Sequence, residues 1–220
     1  MTSTLNAPST SALVADFAGG ASSDVEMMIG IGLVKDSDAV FFQYIGEDNE
    51  PNALVLPSGK PLTRLSNVVL TGVSVAEDIG EFSATKLNIF LESSAGRTVL
   101  VTSGLTTIWS QCVLNGLMAM FDGGDITCPF SLDTWKGNSK MKPCFAAIRV
   151  GQTKLRSDDL YNQLADARSD GDKARVEQIM RDTAEILGAA VKGQPVDVLD
   201  VTEQPAALPA VKTVEAPADF

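Results

Sequence analysis

The sequence predicts an α+β protein whose main element is a mostly antiparallel β-sheet, either curled or closed into a barrel. From Val25 onward, short apolar segments alternate with turn residues, a pattern typical of consecutive strands. Residues 86–92 and 98–102 flank the turn 93–96, which indicates a β-hairpin with a Gly-ended turn. From 106 to 121 the apolar residues recur with helical period instead. Together these observations predict a sheet of five or more strands followed by a helix.

The strand candidates are short apolar or alternating runs bounded by Gly, Pro, Asn, Asp or Ser. In the segment 67–76, four residues occupy every second position, and we expect their side chains to share one face of the sheet. They are Val69, Thr71, Val73 and Val75. The other candidates are 27–34, 39–45, 53–56, 86–92, 98–102, 126–132 and 144–150, and a polar, basic connection at 133–143 joins the last two.

Helical patterns occupy two parts of the chain. The segment 106–121, with Thr106 or Thr107 as its N-cap, is expected to close one end of the sheet. The segment 157–190 begins at Ser157, a good N-cap, and contains two amphipathic helices separated by a polar break. These two helices are expected to form a helical hairpin that either packs on the sheet or serves as an oligomer contact.

Composition divides the chain into four segments. Residues 1–24 are rich in Ser, Thr, Ala and Gly and are predicted to be a disordered leader. Residues 25–156 form the β-rich core, and residues 157–190 form the helical segment. Residues 191–220 are rich in Pro, Ala, Val and Thr and are predicted to be a flexible acidic tail.

The residue inventory argues against an enzyme. Histidine is absent, which removes the commonest general base and every Ser-His-Asp arrangement, and the three cysteines lack metal-site spacing. A catalytic carboxylate pair stays open, although no residues mark one. We therefore expect no catalytic residue, no metal and no cofactor. The sparse cysteines, and the lack of an apolar run approaching ~20 residues, predict a cytoplasmic protein without a membrane partner.

Charge is segregated along the chain. The formal net charge is −11, which by itself disfavours an anionic partner. The segment 134–156 nevertheless contains six basic residues and no acidic one. Lys and Arg gathered on one face are what contact with a phosphate backbone requires. The alternative interpretation is a solvated loop that happens to be basic.

Aromatic residues lie within this basic segment. Trp135 is predicted to stand in the connection next to Lys136, while Phe130 and Phe145 in the adjacent strands are expected to belong to the core. Single-stranded nucleic acid is bound by aromatic rings that stack on bases and by Lys or Arg that contact phosphates. The alternative is a Trp folded back onto the core. The predicted nucleic-acid-binding residues are Trp135, Lys136, Lys140, Lys142, Arg97 and Arg149.

The C-terminal segment carries a resemblance. It ends Val214-Glu215-Ala216-Pro217-Ala218-Asp219-Phe220, a modestly acidic tip with a terminal Phe. In this respect, and in the general order of strands and helix, the chain resembles the single-stranded DNA-binding proteins of bacterial and phage type. The resemblance implies an OB-like barrel with one closing helix. It also implies a tail whose Asp219 and Phe220 recruit replication or repair proteins. The tip is less densely acidic than is usual in that family.

A second function class stays open. The amphipathic helices of 157–190 are also compatible with a homo-oligomeric interaction or assembly module, such as a phage or plasmid accessory protein. In that case the basic loop is only solvated and has no affinity for DNA. The first hypothesis instead predicts a protein that binds single-stranded DNA in replication, recombination or repair.

Overall fold

One mixed sheet and three helices make up the part of the chain that the computed structural model describes, residues 25–35, 37–45, 50–79 and 84–193. The strands are β1 (Met27–Ile31), β2 (Phe41–Ile45), β3 (Glu50–Ala53), β4 (Arg64–Ile79), β5 (Ala84–Ser93), β6 (Thr98–Gly104), β7 (Phe130–Lys136), β8 (Cys144–Val150) and β9 (Thr153–Lys154). The helices are α1 (Ile108–Asp122), α2 (Asp158–Ser169) and α3 (Lys173–Val191).

The order of strands in the sheet is β3-β2-β1-β6-β5-β4-β7-β8-β9. Every neighbouring pair is antiparallel except β1 and β6, which run parallel. The predicted α+β class and the mostly antiparallel sheet are therefore confirmed. Over the described ranges the sheet does not close into a barrel, and β3 and β9 are its two edges.

The sheet is nevertheless strongly curled. The ammonium group of Lys136, the last residue of β7, donates a hydrogen bond to the backbone carbonyl of Ser37. Ser37 lies in the connection between β1 and β2, and β6, β5 and β4 stand between β1 and β7 in the sheet. A contact between elements so far apart in the sheet order requires the sheet to bend back toward itself.

The core lies between the inner face of this sheet and the three helices. It includes Leu70 and Ile89 from the sheet, Leu117 from α1, Leu164 from α2 and Leu187 from α3. The apolar stripes of α2 and α3 are thus buried within the same chain. Of the two predicted alternatives, packing on the sheet and an oligomer contact, the helical hairpin therefore follows the first. None of the helices in the described ranges has both the length and the apolarity needed to cross a bilayer.

Helix α3 is anchored to β4 at two points. Arg181 donates hydrogen bonds to the carboxylate of Glu77 in β4, and its Nη2 also lies 2.6 Å from Oε1 of Glu177. Near the other end of the helix, Gly188 packs directly on the backbone of β4, where an added Cβ would lie 2.6 Å from the carbonyl oxygen of Val73. Glycine therefore permits the close approach of helix and strand.

The prediction for the 67–76 segment is wrong in one respect. The pairing of β4 with β5 shifts between Leu70 and Gly72, which leaves Thr71 as an extra residue in a β-bulge. Val73 and Val75 pair with the buried residues of β5, whereas Val69 pairs with exposed Glu92 on the other face. A bulge reverses the alternation of side chains, so the four residues do not share one face.

The seventh strand also differs from its prediction. We expected a strand at 126–132 and an irregular basic connection from 133 to 143, but β7 runs from Phe130 to Lys136. The polar residues at its end are held in the sheet because they pair with β8 through to Lys136 and Cys144. Trp135 therefore stands in a strand and not in a loop.

Replacing Gly188 with Ala tests the packing of α3 on β4. In an exposed helical position Ala is more stabilising than Gly by about 1 kcal/mol. At position 188 we expect the opposite sign, a loss of about 1–3 kcal/mol in the free energy of unfolding, because the added methyl group forces the helix away from the strand. Urea denaturation measures the difference. The matched control is the pair Glu185→Ala and Glu185→Gly at an exposed site of α3, where Ala should be the more stable. A stabilised Gly188→Ala variant would contradict the close packing.

Candidate functional site

Trp135 is the exposed one of the two tryptophans. In β7 the side chains of Phe130, Leu132 and Thr134 are buried, and strand alternation turns Trp135 to the outer face of the sheet. Its side chain is 42% exposed, whereas Trp109 in α1 is 1% exposed. Trp135 is therefore not folded back into the core.

The ring of Trp135 is held by its neighbours across the strands. It pairs with Phe145 of β8, with ring centroids 5.9 Å apart and an interplanar angle of 17°. The ammonium group of Lys154 in β9 lies 5.9 Å from the ring centroid, a distance at which the cation is attracted to the π-face. Trp135 is thus held in one orientation by its neighbours while it stays partly exposed.

The loop between β7 and β8 is a defined turn. The amide of Gly137 donates to the carbonyl of Pro143 at 2.7 Å, and the amide of Lys142 donates to Ser139 at 2.9 Å. Gly137 makes room for the ring of Phe145, since an added Cβ would lie 2.7 Å from that ring. Lys142 has a left-handed backbone, with φ of 42°. The exposed side chains of the loop are therefore displayed from a turn closed by backbone hydrogen bonds.

Lysines also lie in the loop 137–143, which begins two residues after Trp135. Lys140 and Lys142 are both exposed, and Met141 between them is 87% exposed. Lys136 is different, because strand alternation places it on the inner face, where it donates to Ser37. The structure therefore places Lys140 and Lys142 as exposed residues of the loop that follows Trp135, and it turns Lys136 to the other face of the sheet.

A carboxylate between two guanidinium groups adjoins this patch. Asp133 accepts hydrogen bonds from Nε and Nη2 of Arg64, the latter at 2.9 Å, and from Nε of Arg149 at 2.9 Å. The hydrogen bond from Arg64, and a further one from Arg149, hold the pKa of Asp133 below its usual value against the effect of burial. Arg149 thus lies on the outer face of the sheet with Trp135, but its charge is partly neutralised by Asp133. The two arginines and one carboxylate leave a net positive charge.

Arg97 lies apart from these residues. It stands in the turn between β5 and β6, and its Nε lies 3.5 Å from the carboxylate of Glu26. In the sheet order, β4 separates that turn from β7. Asp219 and Phe220, predicted to dock partner proteins, lie outside the described residues.

We refer to the surface around Trp135 as the basic–aromatic patch. It comprises Trp135, Phe145, Arg64, Lys140, Lys142, Arg149 and Lys154. Phe130 is in the core as predicted, but the prediction that Phe145 is a core residue is wrong, because its ring lies beside Trp135 on the outer face. Sequence reasoning also missed Arg64 and Lys154. Only the pairing of β4, β7, β8 and β9 reveals that these residues share a face.

Comparisons with protein-family models, with curated proteins and with solved structures find no match for this chain. Function is therefore inferred from the geometry of the described residues.

The contrast between the two tryptophans gives a direct test of the site. Acrylamide should quench the fluorescence of the folded protein only in part, because Trp109 is shielded in the core and Trp135 is open to solvent. In the variant Trp135→Phe the quenchable fraction should disappear, while the variant Trp109→Phe, if folded, should leave it intact. A Trp135→Phe protein that is quenched as strongly as the wild type would show that Trp135 is not the accessible ring.

Proposed function

We propose that this protein binds single-stranded DNA through the basic–aromatic patch and acts, without catalysis of its own, in replication, recombination or repair. The observation that carries the proposal is the ring of Trp135, which is 42% exposed yet held by Phe145 and Lys154. An exposed aromatic ring that is already oriented loses little conformational entropy when a base stacks on it.

The patch supplies both kinds of contact that a single strand needs. Stacking of a base on an aromatic ring contributes about 1–3 kcal/mol and depends little on the base, because every base has a π-face. Lys140, Lys142 and Lys154 are exposed and supply charges for the phosphates on either side of the stacked base. Recognition of this kind is weakly dependent on sequence and strongly dependent on salt.

The connectivity of the central strands is compatible with an OB-like core. Strands β4, β5 and β6 are consecutive, and β7 returns after α1 to pair with β4, which is the Greek-key arrangement. Strand β8 then adds a fifth strand by a hairpin. The OB-fold is a five-stranded, partly open Greek-key barrel whose loop between the fourth and fifth strands contacts oligonucleotides. Here the corresponding loop is 137–143. A fold hosts many unrelated functions, so the proposal depends on the chemistry of the basic–aromatic patch and not on this similarity of connectivity.

The acidic net charge is compatible with this function because the charge is unevenly distributed. The segment 134–156 carries six basic residues and no acidic one, whereas 194–220 carries five acidic residues and a single lysine. We include in the proposal that this acidic segment competes with DNA for the patch, and that Asp219 and Phe220 recruit replication or repair proteins. Removal of residues 194–220 would then increase the affinity for DNA.

Binding of fluorescently labelled oligo-dT tests the proposal. The variants Trp135→Ala and Lys140→Ala/Lys142→Ala should each weaken binding at low salt, the first through lost stacking and the second through lost phosphate contacts. The double lysine variant should also reduce the slope of log Kd against log salt by about 1.4, since each phosphate contact to a single strand contributes about 0.7. Fluorescence anisotropy measures both quantities.

The control for that experiment is Lys173→Ala/Lys192→Ala, which makes the same change in charge at two exposed lysines of the helical layer. It should leave the affinity and the salt slope close to those of the wild type. Equal losses in the two double variants would show that binding reflects overall charge and not the patch. Absence of binding to oligo-dT by the wild-type protein and by a protein lacking residues 194–220 would refute the proposal.

Neutralising Asp133 should strengthen binding. The variant Asp133→Asn keeps the shape of the side chain but frees one positive charge on Arg64 and Arg149, so the affinity for oligo-dT should rise several-fold and the salt slope should steepen. The ion pairs are partly exposed, so the free energy of unfolding should change little. Asp166→Asn in α2, an exposed acid away from the patch, is the matched control. Weaker binding by Asp133→Asn alone would indicate that the arginines need the carboxylate for their orientation.

A further inference from the structure

Three connections that are distant in sequence meet at the end of β7. Lys136 donates a hydrogen bond to Ser37 in the connection 32–40. Thr134 donates to the carbonyl of Thr63 at 2.8 Å, at the end of the hairpin 54–62 that joins β3 to β4. The loop 137–143 leaves from the same strand end. We call the surface formed by these three connections the loop rim.

Backbone hydrogen bonds shape two of these connections independently of their exposed side chains. In the hairpin 54–62, the amide of Leu62 donates to Leu54 and that of Leu56 donates to Lys60, both at 2.8 Å. The amide of Leu54 in turn donates to Phe41 of β2 at 3.0 Å. At the base of the connection 32–40, the amide of Gly32 donates to Val40 at 3.1 Å. The outward side chains are therefore available for a partner.

The same two kinds of exposed side chain occur in every connection of the loop rim. Each connection carries at least one large apolar residue and at least one lysine that are exposed. They are Leu33 and Lys35, then Val55, Leu56 and Lys60, and finally Met141, Lys140 and Lys142. Leu33 is 50% exposed and Val55 is 56% exposed. By sequence the first connection also contains two acids, Asp36 and Asp38, of which Asp38 is exposed. Exposed apolar groups gathered with cations mark a surface for a partner with both anionic and apolar parts.

We propose that the loop rim continues the nucleic-acid site, so that a single strand passes from Trp135 across the connections 32–40 and 54–62. This inference rests on the proposed function. Lys35 and Lys60 contact phosphates, and Leu33, Val55 and Leu56 contact unstacked bases. In a duplex the bases are stacked and paired in the interior while the phosphates are exposed. A duplex would therefore contact the lysines but not the apolar side chains. The presence of both kinds of group in each connection favours a single strand.

Lys136 is a positioning residue in this arrangement. Its ammonium group donates to the Ser37 carbonyl and lies on the opposite face from the ring of Trp135. It holds the connection 32–40, and with it Lys35, against the end of β7. Its contribution to binding is therefore indirect.

The test compares two double lysine variants and one apolar variant in the full chain. Lys35→Ala/Lys60→Ala should weaken binding to a long oligo-dT several-fold and reduce its salt slope by about 1.4, as the loss of two phosphate contacts requires. The apolar variant Leu33→Ser/Val55→Ser should weaken binding to oligo-dT but not to duplex DNA of the same length. Lys173→Ala/Lys192→Ala is the control for charge. The urea midpoint of each variant checks that these exposed substitutions leave the fold intact.

The outcomes separate this inference from the proposed function. If Lys140→Ala/Lys142→Ala loses affinity while Lys35→Ala/Lys60→Ala behaves like the control, the loop-rim proposal is overturned and the basic–aromatic patch stands alone. If the wild type does not bind oligo-dT, both proposals fail.

The last experiment measures binding to vesicles of phosphatidylserine and phosphatidylcholine, to test whether the loop rim contacts a lipid surface instead. Vesicle binding that is lost in Leu33→Ser/Val55→Ser, with unchanged oligo-dT affinity, would assign the rim to a lipid surface and overturn its assignment to nucleic acid.

Discussion

The antiparallel register between β7 and β8 is the constraint on which the candidate site depends. It pairs Trp135 with Phe145 and Lys136 with Cys144, so that one aromatic pair stands on the outer face. Side chains alternate between the two faces with a period of two, and a slip of one residue would exchange them. Burial of Phe130 and Leu132 on the inner face makes such a slip of β7 costly, since it would expose both core residues at once. The core thus determines which side of β7 faces solvent.

Electrostatics around this strand pair follow from the same register. Because Arg64 is paired with Asp133, and Arg149 with Ser131, both guanidinium groups reach one carboxylate. This arrangement keeps a charged residue within a strand, and the hydrogen bond from Arg64 holds the pKa of Asp133 below its usual value. The surface stays positive because the two arginines and Lys154 outnumber that acid. A chain of net charge −11 can therefore present a local surface suited to an anionic polymer.

Local patterns predicted much of the fold, and their failures have physical causes. The alternation of apolar residues, together with turn residues, located most strands, and helical periodicity located the helices. These patterns can be identified from the sequence because each depends only on residues a few positions apart. The end of β7 was missed because Asp133 and Lys136 have polar side chains, and the groups that stabilise them there come from β4, β8 and the connection 32–40. The bulge at Thr71 was also missed, although the adjacent Gly72 is a local signal, since a glycine inside a strand often marks a bulge.

The candidate site was predictable only in part for the same reason. Trp135, Lys140 and Lys142 are close in sequence, and their grouping was visible as an aromatic residue within a basic segment. Lys136 was included because it adjoins Trp135, yet adjacent residues of a strand face opposite sides. Lys154 and Arg64 were omitted because strand pairing, not proximity in sequence, brings them to the patch.

The central claim is that Trp135 contacts the bases of a single strand. The most direct measurement is the ¹H–¹⁵N spectrum of the two indole groups during titration with oligo-dT, because Trp135 is exposed and Trp109 is buried. The account predicts that the Trp135 indole signal shifts in proportion to bound oligonucleotide and that the Trp109 signal stays in place. An unmoved Trp135 signal at saturating oligo-dT would contradict it.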